Sequence, residues 1–251
     1  MGYIFDFKDA KAYERWYEDP ENKLVAELET QLMLRMLKPE RGDRIIDIGC
    51  GTGINLSELP EKGIDISGID PSPYMLDIAK SKSGNKVDLH RGFAEDLPFD
   101  DNSFNHACFI TSLEFVENPE KALREACRVA KDRLFIGVLN RCAVKGIQRR
   151  VRGLFSKSIY NQASFFTIWE LKNMLRNILG DIPITWQSIS LSSRSSVLSA
   201  VRPEASRFLD KSPFGTYLGI VAVLVPRFKT TPLKLKLKFN LPKMQIGGAP
   251  A

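Results

Sequence analysis

The spacing of hydrophobic positions along this chain changes several times, and each change marks an element. Leu24, Leu28, Leu32 and Met36 recur at intervals of four, with Val25 and Leu34 widening the stripe. That pattern predicts an amphipathic helix near the start, closed by Pro39 and Gly42. Residues 44–48 then predict a short apolar strand that runs directly into glycines. Strands follow over 64–70, 87–91, 105–111 and 134–139, with helices over 73–80 and 119–130 between them. Ser72 stands at the N-cap position of the first of these helices and Pro73 at its first turn. A later helix over 167–179 opens with Thr167 and Glu170 in capping-box spacing and ends at Gly180. Strands over 184–190 and 218–225 complete the set. Repeated strand–helix alternation predicts an α/β chain with a doubly wound, mostly parallel seven-stranded sheet and helices on both faces. Such sheets bind ligands at the carboxyl ends of their strands, near the topological switch point.

The sharpest local signal is Asp47-Ile-Gly49-Cys50-Gly51-Thr-Gly53. Glycines at the end of a strand let backbone approach a ligand closely, because no Cβ intervenes. A dinucleotide site uses GxGxxG with pyrophosphate on a helix N-terminus; here the spacing is GxGxG, which argues against a nicotinamide dehydrogenase. A carboxylate two residues before the first glycine suits an ammonium group better than a diphosphate. Asp70 ends the next strand, where an acid can accept both hydroxyls of an unphosphorylated ribose. The plainer reading of both acids is that they cap strand ends.

These residues resemble motifs of the class I S-adenosylmethionine-dependent methyltransferases. The run 45–53 with Asp70 is similar to the first two motifs, and Gly92-Phe-Ala-Glu-Asp-Leu-Pro-Phe99 resembles the stretch that wraps the adenine. Ser112-Leu-Glu-Phe-Val-Glu-Asn-Pro119 resembles the segment after the fourth strand, and residues 165–172 the helix start after the fifth. The subgroup most similar is the methyltransferase type 11-like one that includes the ubiquinone/menaquinone-type enzymes. The resemblance spans about residues 10–190 and the strand near 220, and it is almost silent on substrate.

The resemblance implies a Rossmann-like methyltransferase fold, an enzyme, and S-adenosylmethionine as cofactor. It implies that Gly49, Cys50, Gly51 and Gly53 approach the methionine and ribose, with Asp47 beneath the loop. Asp70 and Pro71 would meet the ribose, and Met75, Phe93, Ala94 and Glu95 the adenine. Ile110 and Thr111 would close the methionine side. Tyr13 and Tyr17, in a Tyr-Glu-Arg-Trp-Tyr lid segment, would reach over the cofactor. Two departures stand out. Phe93 replaces a frequent Asp, leaving the adenine amine to Glu95, and Phe115 replaces a frequent His, which excludes a histidine base there.

Composition sharpens the picture in one respect. The net charge of +6 over 251 residues divides into −8 over residues 1–140 and +14 over 141–251. The acidic part contains the glycine loop; the basic part contains a run from Arg141 to Ser164 with six cations and no acid, and a Leu-Lys alternation over 233–239. The run reads as a helical insertion over the cleft or as a solvated basic face. Five regions follow: 1–42 as an N-terminal helical lid, 43–140 as cofactor core, 141–164 as basic insertion, 165–228 as the rest of the core and 229–251 as a basic tail. The four cysteines and two histidines lack metal-ligand spacing, so no metal site is expected. The N-terminus is too polar for a signal peptide, and the longest apolar run is too short to span a bilayer, so a cytoplasmic location is the default.

Methyl transfer is an in-line displacement that needs a base only if the nucleophile must lose a proton. Glu114, following the fourth strand, is the candidate base; His106 reads as a core residue. The expected function is methyl transfer to a small-molecule acceptor, anionic or lipophilic, with peripheral membrane contact as an option for the basic half. Nucleic acid is not expected, because aromatics and cations do not interleave. The oligomeric state is left open. The alternative is a methyltransferase-like scaffold that uses its basic half at a membrane or partner surface.

Overall fold

The structure is a computed structural model, and it describes residues 2–56, 59–143, 163–190 and 209–225. The basic insertion, the Ser- and Arg-rich stretch and the Leu-Lys tail lie outside the described residues, apart from the ends 141–143, 163–164 and 209–212 of the first two.

The helical N-terminus is two helices. α1 (Phe7–Trp16) starts at a reciprocal capping box between Asp6 and Asp9. α2 (Pro20–Leu37) is capped by Asp19 with Pro20 in its first turn, and it ends where Lys38 takes left-handed backbone at φ 50°. β1 (Arg44–Ile48), β2 (Asp65–Asp70), α3 (Pro73–Ser83), β3 (Asp88–Arg91) and β4 (Phe104–Ile110) follow the predicted alternation. α4 (Pro119–Val129) passes without a loop into β5 (Ala130–Leu139), which starts earlier than its apolar pattern suggests because Lys131, Asp132 and Arg133 open it. α5 (Ile168–Leu179) has the expected Thr167–Glu170 capping box. β6 (Ile184–Ile189), β7 (Leu209–Asp210) and β8 (Tyr217–Val223) complete the sheet.

The strand order is β3-β2-β1-β4-β5-β8-β6-β7. β1 to β5 are parallel, while β8 inserts antiparallel between β5 and β6. The seven expected strands are all present, and two-residue β7 adds an edge beyond them. Order reverses at β1, which pairs with β2 on one side and β4 on the other, so a crevice opens past their carboxyl ends.

Burial fills both faces. One face packs Phe109, Leu134 and Leu218 against α4 and α5 through Leu123, Leu171 and Leu175. The other packs Ile45, Phe135 and Tyr217 against α2 through Leu32, Met33 and Leu37. Among the described residues no helix is long and apolar enough to cross a membrane.

Candidate functional site

The glycine loop leaves β1 in a conformation that ordinary side chains avoid. Gly49, Gly51 and Gly53 have φ of 77°, 53° and 73°. Gly49 is also packed: an added Cβ would lie 2.5 Å from the Ser112 Cβ. Around Gly51 an added Cβ would meet nothing within 4 Å, so that backbone faces open space. The loop is tied to β2 by the Gly49 and Cys50 N–H groups, which donate to the Ile69 carbonyl at 2.7 and 3.1 Å.

Asp70 stands at the centre of these ties. Its Oδ2 accepts from the Gly51 N–H at 2.9 Å and its Oδ1 from the Ser72 N–H at 2.8 Å. The carboxylate therefore fixes both the loop and the start of α3. Asp47 lies beneath, 1% exposed, with the Cys108 thiol 3.7 Å from its Oδ1. Burial raises Asp47 to about 7, the nearby Asp70 adding to the rise. Burial likewise raises Asp70 to about 6, against the opposing pull of its two backbone N–H donors. In both, the loss of hydration outweighs the donors present, and a cation beside them would favour the ionised forms.

A cavity of about 830 Å³, counting its open mouth, lies over the loop. Its walls include Gly49, Cys50, Gly51, Asp70, Pro71 and Met75 on one side. Phe93, Ala94 and Glu95 form another side, and Ile110, Thr111 and Tyr13 a third. Asp47, Gly53 and Tyr17 are not in the lining. Gly53 turns the loop toward Ala79 of α3. Tyr17 sits behind Tyr13, their hydroxyls 3.0 Å apart.

Thr111 carries two signs of a special position. It has left-handed backbone at φ 51°, which is costly for a β-branched residue, and its buried Oγ1 has no hydrogen-bond partner among the described residues. Glu95 lines the cavity, yet its Oε1 accepts from the Glu117 and Asn118 N–H groups at 2.9 and 3.1 Å, so that oxygen holds the approach to α4.

The structure does not bring Glu114 to the cavity. Its side chain is 1% exposed, and its Oε1 accepts from the Leu139 N–H at 2.8 Å. It lies in a single 3-10 turn, Leu113–Phe115, whose rotation turns Glu114 inward and Phe115 toward the cavity. His106 is buried at the opposite end of β4, 3.1 Å from Asp43.

The motif-based reading passes over the first residues, which cross the cavity as a strap. The Tyr3 N–H donates to the Phe115 carbonyl at 3.0 Å, and the Ser72 hydroxyl donates to the Phe5 carbonyl at 2.7 Å. The Phe5 ring packs edge-on against Tyr3, Tyr13 and Phe115 at 5.1, 6.2 and 5.2 Å. The available signal was the alternation Tyr3, Phe5, Phe7, which has the period of an extended segment.

Comparisons with known proteins agree with this geometry. The "Methyltransferase domain" family matches residues 46–135. An uncharacterized protein of Methanocaldococcus jannaschii is 34% identical over 177 residues, covering 70% of this chain and 80% of that protein. A demethylmenaquinone methyltransferase of Renibacterium salmoninarum is 37% identical over 90 residues, which is 36% of this chain and 38% of that enzyme. A crystal structure from Thermotoga maritima, described as an S-adenosylmethionine-dependent methyltransferase and possible histamine N-methyltransferase, superposes with a TM-score of 0.69 at 28% identity. It covers 88% of this chain and 99% of that one.

Proposed function

This chain belongs to the class I S-adenosylmethionine-dependent methyltransferases, and from that premise we propose that it methylates a neutral or cationic, lipophilic small molecule through the cavity over the glycine loop. The observation that carries the reading is the match between that cavity and an adenosyl sulfonium. Two buried carboxylates with raised pKa adjoin it, a glycine opens its backbone there, and the Thr111 hydroxyl is buried without a partner among the described residues.

The residues divide the work by chemistry. Gly49 and Gly51 lend a backbone surface for the amino-acid portion. Asp70, already oriented by two N–H donors, has the placement to take ribose hydroxyls. Asp47 contributes negative potential from below. Met75, Phe93 and Ala94 offer an apolar slot for a planar base, and Phe93 is 39% exposed at its mouth. Thr111 contributes its hydroxyl on the methionine side. When bound, the cofactor supplies an electrophilic methyl group on a sulfonium.

The acceptor side is read from the strap. Tyr3, Phe5, Tyr13 and Phe115 form an aromatic wall, and no Lys or Arg is among the described residues that line the cavity. Such a wall favours apolar rings or a cation over an anion. Burial raises the Tyr3 and Tyr13 phenols well above their ordinary value, so both stay protonated at neutral pH. With Glu114 engaged at Leu139, no group on the described wall is suited to act as a base. The chain would therefore work by holding and desolvating the nucleophile, with the proton of a phenol, quinol or amine released to solvent. The aromatic lining and the quinone-type relative support this class of acceptor together.

The test is a panel of phenols, quinols and amines with labelled S-adenosylmethionine. Transfer to a lipophilic neutral or amine acceptor is expected, and transfer confined to carboxylated or phosphorylated acceptors would overturn the acceptor reading. A Phe5→Ala/Phe115→Ala variant should raise KM for the acceptor by about tenfold while binding S-adenosylhomocysteine normally.

A further inference from the structure

A second concavity lies at the other end of the sheet, where α2 and β8 finish and β5 and β6 begin. It is a groove of about 1280 Å³, counting its open mouth. Arg35 and Lys38 enter it from the end of α2, Arg133 from the start of β5, Lys172 from α5, and Lys211 from just after β7. These five cations come from four segments distant in sequence, so tertiary folding gathers them rather than one basic stretch. No Asp or Glu is among the described residues lining the groove, and none of the five forms an ion pair among the described residues.

The placement is costly. Like charges gathered on one concave wall repel each other and focus a positive potential into the space between them. Ordinary surfaces intersperse the two signs. Two of the cations are also held in place. The Arg133 guanidinium donates to the Leu37 carbonyl, and the Lys172 ammonium lies 5.3 Å from the centre of the Trp186 ring.

We propose that this groove binds a phosphate-bearing ligand, at the end of the sheet opposite the methyl-transfer cavity. Two arginines offer forked donors that match phosphate oxygens, and three lysines add point charges around them. The phosphate can belong to a soluble metabolite or to a lipid headgroup. Because the groove opens at the amino ends of the parallel strands, its occupancy does not compete with the cofactor.

Two probes separate the sources. Full-length protein saturated with S-adenosylhomocysteine is titrated calorimetrically with pyrophosphate, and is floated with phosphatidylcholine vesicles with and without phosphatidylglycerol. Binding to at least one phosphate probe is expected, and it should weaken steeply with salt. Pyrophosphate binding alone supports a soluble ligand, and retention on phosphatidylglycerol vesicles alone supports a headgroup. The Arg35→Gln/Lys211→Gln variant should lose about tenfold in affinity, with S-adenosylhomocysteine binding unchanged and the cofactor-free melting temperature unchanged or higher. Lys38→Gln/Lys172→Gln serves as an independent second pair. Failure of both probes to bind, or equal binding by both variants, overturns the proposal. So does binding that requires a polynucleotide.

Discussion

Beside the glycine loop, at the carboxyl ends of β1 and β2, the charged groups are two buried acids; in the groove at the amino ends of β5 and β6 they are five cations, three of them exposed. Asp47 and Asp70 are 1% and 7% exposed and are fixed by backbone or thiol contacts. Arg35, Lys38 and Lys211 stand in the solvent-exposed class. The contrast teaches how charge is put to different uses. A buried acid is expensive until a cation arrives, so it encodes affinity and pH dependence. An exposed cation is cheap singly and screened by salt, so several are needed, and they encode attraction rather than tight geometry.

The largest effect is expected at the loop itself. Gly49→Val must place a branched side chain at φ 77° against Ser112, so stability should fall by about 3–5 kcal/mol, read as a shift in the urea midpoint. A fully buried core position on the α2 face gives a reference of similar size without touching the site. Leu32→Ala should cost about 2–5 kcal/mol while any folded fraction binds cofactor normally. If the two variants instead lost cofactor affinity equally, the loop would not be distinguished from the core.

The pH dependence sharpens the same contrast. Asp47 and Asp70 have folded values raised to about 7 and about 6, above the ordinary carboxylate value. The folded, cofactor-free chain therefore keeps protons that the unfolded chain has already lost. Stability contributed by these groups is present at pH 4 and declines as pH rises through about 7. A cationic ligand favours the ionised acids, so binding should release protons, and affinity for S-adenosylmethionine should rise between about pH 5.5 and 7.5. The limit is about tenfold per pH unit for each full proton released. Calorimetry in buffers of different ionisation enthalpy counts those protons, and a flat profile would contradict the assignment.

The smallest effect concerns backbone strain. Thr111→Gly removes a β-branched residue from φ 51° and deletes a buried hydroxyl that lacks a partner among the described residues. The cofactor-free protein should gain about 1 kcal/mol or remain level, because relief of strain is offset by the entropy of glycine. Transfer activity should fall nonetheless. Lower stability with unchanged activity would show that Thr111 serves only the fold.

Much of this was legible from residues. Periodicity located β1 to β4 and the helices α3 and α4, because amphipathic stripes and glycine or proline stops coincide there. It placed the start of β5 too late, since Lys131, Asp132 and Arg133 mask a strand whose pairing with β4 is settled by tertiary contact. The glycine spacing and Asp70 pointed to the cavity because their role is local: one turn, one strand end. Glu114 lies off the cavity, where its place after the fourth strand did not put it, because a single 3-10 turn decides whether 114 or 115 faces the crevice, and no pattern of three residues fixes that. The strap was hidden for the opposite reason. Its partners, Ser72 and Phe115, are 67 and 112 positions distant from the residues they bind. The basic groove likewise exists only after α2, β5, α5 and the segment after β7 come together.

The central claim is that the Asp70 carboxylate, oriented by the Gly51 and Ser72 N–H groups, holds the cofactor. Calorimetric titration of S-adenosylhomocysteine into wild type and Asp70→Ala tests it most directly, with circular dichroism confirming that the variant is folded. Loss of charge-assisted hydrogen bonds, worth about 1.5–3 kcal/mol each, predicts affinity at least ~10-fold weaker, approaching ~100-fold or more if both hydroxyls are held. Unchanged affinity in a folded Asp70→Ala protein would contradict it.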